Sequence, residues 1–410
     1  MTDVRLAIFA ITYVLIAVQQ FPGVRIRRPA ATMLGAVAMV VVGGLSLHEA
    51  YAAIDVDVLV FLLGVLLLTA YLEVGGFFEW AAGRIVGRTR SPHALLAAIV
   101  AASGLLSALF INDTICLVFT PLVIAALRAM RLRPLPFLLA IAFAANVGSA
   151  MTPTGNPQNM LIAVSSGIPY ARFVAALALP AVGGLVLVYV VLAVAFRRDL
   201  RARPAPGEGP PPPLRDRVMV GEALALFALA LAGWLLGYPL PLVAIGAGAV
   251  MVALGGRDVT AALARVEWSL LLFFAALFVV MRGVQHHPLI LDLTSRAAAG
   301  LRGTPGHDAV LVSAAMTVLS NVVSNVPAVI LWRPVVPTLP NAELVWLVMA
   351  MSSTFAGNLT LVGSMANLIV AERAAARGER VGFVDVLRVG VPLTVLTLAW
   401  GIAAVLLVAR

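Results

Sequence analysis

Residues 146–159 read Asn-Val-Gly-Ser-Ala-Met-Thr-Pro-Thr-Gly-Asn-Pro-Gln-Asn, and stretches apolar enough for a bilayer flank them at 137–145 and 160–164. Inside hydrocarbon, backbone that is not helical survives only where it packs against protein or lines a cavity. Two prolines, two glycines and a run of amide and hydroxyl side chains cannot make a lipid-facing helix. The stretch predicts a helix broken near the middle of the membrane, with its freed backbone groups and helix ends turned toward a solute. The chain does this twice. Residues 355–367, Phe-Ala-Gly-Asn-Leu-Thr-Leu-Val-Gly-Ser-Met-Ala-Asn, align without gaps, pairing Gly155 with Gly363, Asn159 with Asn367 and Thr152 with Thr360.

Composition agrees with a membrane-embedded chain. Of 410 residues 62% are hydrophobic and 11% charged, against about 25% charged in soluble domains. The expectation is an all-α polytopic membrane protein. All basic residues other than histidine are arginine, which reflects GC-rich codons rather than function. The single cysteine, Cys116, sits in an apolar run and leaves no internal disulfide or thiol metal cluster. The first apolar stretch begins at Leu6 after one arginine and lacks a cleavage site, so it reads as a retained helix.

In chain order, spans are predicted at 6–21, 30–47 and 56–71, followed by an amphipathic piece at 77–86. The apolar run 94–127 is too short for two crossings with a turn and too long for one. Its middle holds Asn112, Asp113 and Thr114, which predicts a re-entrant hairpin with a polar tip. A broken helix over 135–165 and a long span at 173–196 complete the first unit, residues 1–196. The segment 197–217, with six arginines and the run Pro210–Pro213, reads as a solvated cytoplasmic linker. The pattern then restarts over 218–410. Spans at 218–236, 240–254 and 268–281 come first, then an amphipathic piece at 288–301 and a hairpin at 310–336 tipped by Ser324 and Asn325. A broken helix at 344–371 and a span at 384–409 follow.

The two hairpins also align without gaps, residues 106–121 with 319–334, pairing Asn112 with Asn325 and Pro121 with Pro334. Each unit therefore carries five crossings plus one hairpin. Five is odd, so the two units face opposite ways, as two inverted-topology repeats do. Threading places twenty-one of the 28 arginines on one face. Arg5, Arg172, Arg282, Arg296, Arg302, Arg333 and Arg410 lie elsewhere. The positive-inside rule makes the first face cytoplasmic, with both termini outside and the chain in the cell (inner) membrane. The basic charge is thus a topology signal. It supplies no separate basic domain for nucleic acid.

With these residues in hand, a family resemblance emerges. Asn112-Asp-Thr with Pro121, Thr-Pro-Thr-Gly-Asn-Pro-Gln-Asn at 152–159, Ser-Asn-Val-Pro at 324–327 and Gly-Ser-Met-Ala-Asn at 363–367 resemble the ion-transporter superfamily. That group takes in arsenite permeases, sodium–proton antiporters, citrate permeases and divalent anion–sodium symporters. The nearest likeness is to short bacterial anion permeases with the Gly-Asn-Pro-Gln-Asn form. The resemblance covers nearly the whole chain. It implies two hairpin tips and two broken helices around a midmembrane site, carried across by an elevator-like displacement. It further implies that Asn112 and Asn325 help bind cation or substrate, and that carbonyls at Gly155 and Gly363 approach a cation. Sodium is then expected at Asn112, Gly155, Asn325 and Gly363. The symporters carry Ser-Asn-Thr at both tips. Here the tips are Ile-Asn-Asp and Ser-Asn-Val, a departure toward the Asn-Asp pair of arsenite permeases.

The candidate binding set is Asn112, Asp113, Thr114, Asn146, Thr152, Thr154, Gly155, Asn156, Asn159, Ser324, Asn325, Thr354, Asn358, Thr360, Gly363, Ser364 and Asn367. A structural reading stands beside it. Asn112, Asp113 and Ser324 would cap the second hairpin arms, Gly155 and Gly363 would permit close packing, and the threonines would bond back to their own helices. Asp113 is the one acidic residue that threading puts near midmembrane, with no arginine expected close by, and such residues are functional by default. No nucleotide loop, catalytic triad or metal-ligand cluster is visible, and an enzyme would need a second acid–base group at the depth of Asp113. The expected function is secondary active transport of a small anionic or oxyanion-like solute. It needs no cofactor and is driven by sodium or protons, and the chain allows a homodimer. The alternative is a cation–proton antiporter of the same fold, with Asp113 as the exchanging site.

Overall fold

The computed structural model describes residues 2–18, 20–21, 24–25, 27–89, 91–202, 213–254 and 259–408. The first half runs α1 (Thr2–Val18), α2 (Arg28–Val41), α3 (Leu47–Ala53), α4 (Val56–Val74) and α5 (Phe77–Arg88). Then come α6 (Pro92–Leu109), α7 (Asn112–Ala129), α8 (Leu135–Ser149), α9 (Pro157–Ser166) and α10 (Tyr170–Ala195). From Arg217 the order recurs with α11 (Arg217–Leu235), α12 (Leu240–Leu254), α13 (Val259–Arg265), α14 (Trp268–Val284) and α15 (Pro288–Ala299). It ends with α16 (Pro305–Val323), α17 (Asn325–Trp332), α18 (Ala342–Ala356), α19 (Met365–Ala375) and α20 (Phe383–Val408). Lengths repeat as well as order: α3 and α13 have 7 residues, α5 and α15 have 12, α8 and α18 have 15, and α10 and α20 have 26. Of the segment read as a linker, residues 203–212 lie outside the described residues.

Local chemistry explains where these helices start and stop. Ser46 and Glu49 form a reciprocal capping box at α3, Asp55 accepts from the Val58 amide at α4, and Asp216 accepts from the Val218 and Met219 amides at α11. Proline opens α6, α9, α15 and α16, where its missing N–H costs nothing. Among the described residues, seven helices are long and apolar enough to cross a membrane. α13 and α14 form a pair bent by 47° that passes the same test jointly.

Three boundaries differ from the sequence reading. α2 stops at Val41, and the separate helices α3 and α13 escape the periodicity because each is only two turns long. The first hairpin is longer than 94–127. Ser91 and Pro92 extend its first arm, and each arm has 18 residues, about 27 Å at 1.5 Å per residue. That length approaches the roughly 30 Å of hydrocarbon, so the arms are not too short to cross. The second hairpin is uneven, with 19 residues in α16 against 8 in α17, which stops before Pro334.

The core surrounds α8 and α18. Every residue of α8, and Leu344 through Ala356 of α18, is buried, the pattern of a helix apolar all round. Packing crosses between the halves in matched pairs. α4 lies on α11 and α12 while α14 lies on α1 and α2, and α7 meets α19 while α17 meets α9. Large apolar side chains remain exposed along α10, α11 and α20, among them Val186, Val190, Val194, Leu229, Val395 and Leu407. Such a girdle is covered by lipid.

The cross-half contact of α4 with α12 depends on Gly64. A Cβ there would stand 2.3 Å from the Ala244 carbonyl carbon, which is backbone and cannot rotate away. Gly246 on α12 faces open space. Gly64→Ala should therefore lower stability in detergent by about 1–3 kcal/mol, while Gly246→Ala should leave it unchanged or raise it slightly. Thermal unfolding of the purified variants checks this, and equal midpoints would refute it.

Candidate functional site

Each broken helix is held open by one asparagine. Asn159 Nδ2 donates to the carbonyls of Ser149, Ala150 and Thr152 at 3.2, 3.3 and 3.1 Å. Asn367 Nδ2 donates to the carbonyls of Gly357 and Thr360 at 2.8 and 2.9 Å. Ser149 aligns with Gly357 and Thr152 with Thr360, so both asparagines replace the same lost helical hydrogen bonds. Between the half-helices lie short 3-10 turns, Pro153–Gly155 and Leu361–Gly363. The second half-helices are capped in register, α9 by Asn156, which accepts from the Asn159 amide, and α19 by Ser364, which accepts from the Ala366 amide.

Gly155 and Gly363 are explained by space. A Cβ on Gly155 would lie 2.1 Å from the Ser149 carbonyl oxygen, and one on Gly363 would lie 2.5 Å from Asn321 Oδ1. The threonines divide. Thr354 bonds back to the Ala350 carbonyl at 2.6 Å, whereas Thr152 and Thr154 both reach the Ala108 carbonyl near the first hairpin tip. Thr360 donates to Asn321 Oδ1 at 2.9 Å and so touches the second hairpin.

Asn146 joins these parts. Its Oδ1 accepts from Asn112 Nδ2 at 3.2 Å and from Ser364 Oγ at 2.8 Å. Its Nδ2 donates to Asn358 Oδ1 at 2.8 Å and to Asn367 Oδ1 at 3.2 Å. One buried amide thus spends its full hydrogen-bonding capacity on a hairpin tip and both sides of the opposite helix break.

Above this network is a cavity of about 120 Å³ lined by both hairpin tips. Of the candidate residues it takes in Asn112, Asp113, Ser324, Asn325 and Ser364. Neither hairpin arm is capped by these side chains. Ile111 is the residue before α7 and Ser324 the residue before α17, and neither makes a side-chain cap. The capping account of Asn112, Asp113 and Ser324 is therefore set aside. Asn112 Oδ1 and Asn325 Oδ1 are buried without a hydrogen-bond partner, each a lone acceptor at a cavity wall. Ser324 has φ 70° and ψ 165°, a region otherwise occupied by glycine that costs on the order of 1–3 kcal/mol.

Three lining residues escape the sequence reading. Gln158 donates to Thr354 Oγ1 at 3.1 Å, and Asn321 donates to the Ala356 carbonyl at 3.0 Å. Gln158 lies inside the Gly-Asn-Pro-Gln-Asn motif, and that was its signal. The third is Arg28, which arginine counting assigns to the cytoplasmic surface. It lines the cavity instead, its guanidinium resting on the Met365 thioether, with Asp113 and Glu372 as its charged neighbours. Asp113, 5% exposed, therefore does have an arginine close by. Thr114 is buried with its hydroxyl unpaired but does not line the cavity. Among the described residues, no group of three or more His, Cys, Asp or Glu is placed to hold a metal ion.

Comparison with known proteins bears on the family and the fold. A model of the citrate transporter family matches residues 13–356. The chain belongs to the citrate transporter family. It is a multi-pass membrane transporter and not an enzyme. Silicon efflux transporter LSI3 of Oryza sativa subsp. japonica is 30% identical over 96% of this chain and 95% of its own. A transporter named arsB from Dictyostelium discoideum is 24% identical over 94% of this chain and 88% of its own. Among solved structures, the Alcanivorax borkumensis YdaH transporter shares the fold with a TM-score of 0.55 at 19% identity, over 99% of this chain and 97% of that one.

Asn146→Ala should strand partners on Asn112, Ser364, Asn358 and Asn367 at once. The expected loss is at least about 1–3 kcal/mol, read as a lower thermal midpoint in detergent. An unchanged midpoint would show that the four bonds do not hold the first hairpin tip to the second helix break.

Proposed function

We propose that this member of the citrate transporter family is a secondary active transporter for a small oxyanion-like solute, and that the 120 Å³ cavity is its binding site. The observation that carries the proposal is the mixture of groups on the cavity wall. Arg28 offers a guanidinium, whose planar donors suit anionic oxygens. Asn112 and Asn325 offer unpaired carbonyl oxygens, which suit a hydroxyl donor or a coordinated sodium ion. A weak oxyacid presents both kinds of atom. The family's citrate and the rice relative's silicon, which dissolves in water as a hydroxylated acid, share that character.

Coupling is assigned to Asp113 with protons or sodium as the driving ion, and the chain is placed in the cell (inner) membrane with both termini outside. The two halves are read as inverted repeats. Matched element lengths and exchanged packing partners support that reading. In this reading the hairpins and broken helices move as one body past α1, α2, α11 and α12, since Asn146 ties the first hairpin tip to the second break and Asn321 ties the second hairpin to the same break. The cation–proton antiporter alternative draws on Asp113 and the two asparagine oxygens.

Uptake into proteoliposomes tests the site. Asn112→Ala and Asn325→Ala should each reduce solute transport at least about tenfold while the protein remains monodisperse, because each removes a ligand of the same cavity. Wild-type uptake in either variant would remove that residue from the site.

A second measurement concerns coupling. Asparagine matches the size of aspartate but carries no charge or exchangeable proton. Asp113→Asn should fold normally, keep solute exchange and lose accumulation driven by a pH or sodium gradient. Accumulation with unchanged pH dependence would exclude Asp113 from coupling. Sodium-driven dequenching of a pH dye in vesicles without any oxyanion would favour the antiporter.

A further inference from the structure

The face of α14 that lines the central cavity continues beyond it. Leu270 and Phe274 border the cavity, and Phe278, Arg282 and Gln285 border a second cavity of about 410 Å³ farther along the same helix. Spacings of four, four, four and three residues keep all five on one stripe. α17, packed against α14, behaves alike. Val326 and Pro327 face the central cavity, while Ile330 and the following Arg333 and Pro334 face the second. Phe274 borders the central cavity, Phe278 and Ile330 border the second, and all three are buried. From Phe274 to Phe278 is about 6 Å along the helix.

Two arginines reach this second space, and the repeat does not demand Arg333. In the gap-free alignment of the hairpins Arg333 falls opposite Thr120, whose hydroxyl is used on the Cys116 carbonyl. Arg333 Nη1 holds Asp55 Oδ2 at 2.7 Å, and Asp55 Oδ1 caps α4 through the Val58 amide. Arg282 Nη1 lies 3.1 Å from His286 Nε2. Glu49, its carboxylate neighbour, is already held by the Ser46 amide and hydroxyl at 2.9 and 2.8 Å. Gln285 adds an amide. One arginine is therefore partly neutralised, and the other faces the space with most of its charge uncommitted to a carboxylate.

We infer that the Arg282–Arg333–Gln285 cavity is a second anion site, an antechamber for a small oxyanion separated from the central cavity by the apolar turn of Phe274, Phe278 and Ile330. A guanidinium pair beside an amide suits a sulfate- or phosphate-type group, which accepts several N–H donors at once. The site stands on its own lining and does not need the transport reading. That it faces outward does rest on the topology proposed above. A lipid headgroup phosphate presents the same chemistry as a free oxyanion.

Calorimetric titration of sulfate into the purified full-length protein, at constant ionic strength with chloride, tests the site. Sulfate should bind, and Arg282→Gln should weaken it about tenfold or more. Asp55→Asn keeps a capping side chain but frees Arg333, so it should tighten sulfate several-fold. These opposite shifts are not the signature of a structural ion pair. The proposal is overturned if wild type does not bind sulfate, if Arg282→Gln binds it unchanged, or if Asp55→Asn weakens it. It is also overturned if Asn325→Ala abolishes sulfate binding while Arg282→Gln does not, because the anion then sits in the central cavity. Nanodiscs separate the two sources of oxyanion. Unchanged sulfate affinity in phosphatidylglycerol discs assigns the site to soluble anions. Loss of affinity there, with less phosphatidylglycerol retained by Arg282→Gln, assigns it to lipid phosphate. Binding persists even if solute transport is never observed, so the failure of one reading is distinguishable from the failure of the other.

Discussion

A helix interrupted within the membrane leaves carbonyls without partners in a medium that offers no water, and the architecture here answers that constraint twice. Asn159 and Asn367 each turn a side-chain amide back onto the carbonyls that the break has freed. An unmade hydrogen bond in such surroundings costs on the order of 1–3 kcal/mol, so without these amides the breaks would close into helix or unravel. Only with the breaks in place can α9 and α19 start where they do, capped by Asn156 and Ser364, and bring their first turns to the cavity.

Asn146 extends that solution across the halves. Its aligned position in the second break is Thr354, which satisfies itself on the Ala350 carbonyl and accepts from Gln158. The network is therefore lopsided, and one half supplies the hub that the other half surrounds. The charges at the cavity are lopsided too. Asp113 lies opposite Val326 in the hairpin alignment, and Arg28, the first residue of α2, corresponds to Leu240, the first of α12. A duplicated frame provides the paired asparagines, while the residues that set charge are particular to one half. Substituting such unpaired positions leaves the repeated hydrogen bonds of Asn159 and Asn367 intact.

Ser324 adds mechanical content to the site. A non-glycine residue at φ 70° persists only where its surroundings hold it, and here it joins a 19-residue arm to one of 8 residues. The first hairpin turns through Phe110 and Ile111, both with ordinary backbone angles. The strain thus sits beside Asn325, whose oxygen is unpaired, on the arm whose other end carries Arg333. A small change at this tip would be felt along the whole of α17.

Much of this is legible in the amino-acid sequence. Proline, glycine and asparagine inside apolar runs announce broken helices because their local chemistry forbids any other outcome in lipid, and recurrence in register announces the two halves. The polar tips were equally readable, since Asn112 and Asn325 interrupt stretches that otherwise belong in hydrocarbon. Hairpin arm lengths were not, because an apolar run looks the same whether it ends in lipid or against protein. Capping by Asn112, Asp113 and Ser324 was locally reasonable, and tertiary contacts directed those side chains elsewhere. Arg28 shows the limit most clearly. By spacing it belongs with Arg25 and Arg27 at a membrane surface, yet it lines the same cavity as Asp113, eighty-five residues away in the sequence. Local sequence decides where backbone can stay helical, since that depends on neighbours a few residues off. Which charges share a cavity depends on how far side chains reach between helices distant in the chain, and only the tertiary structure settles that.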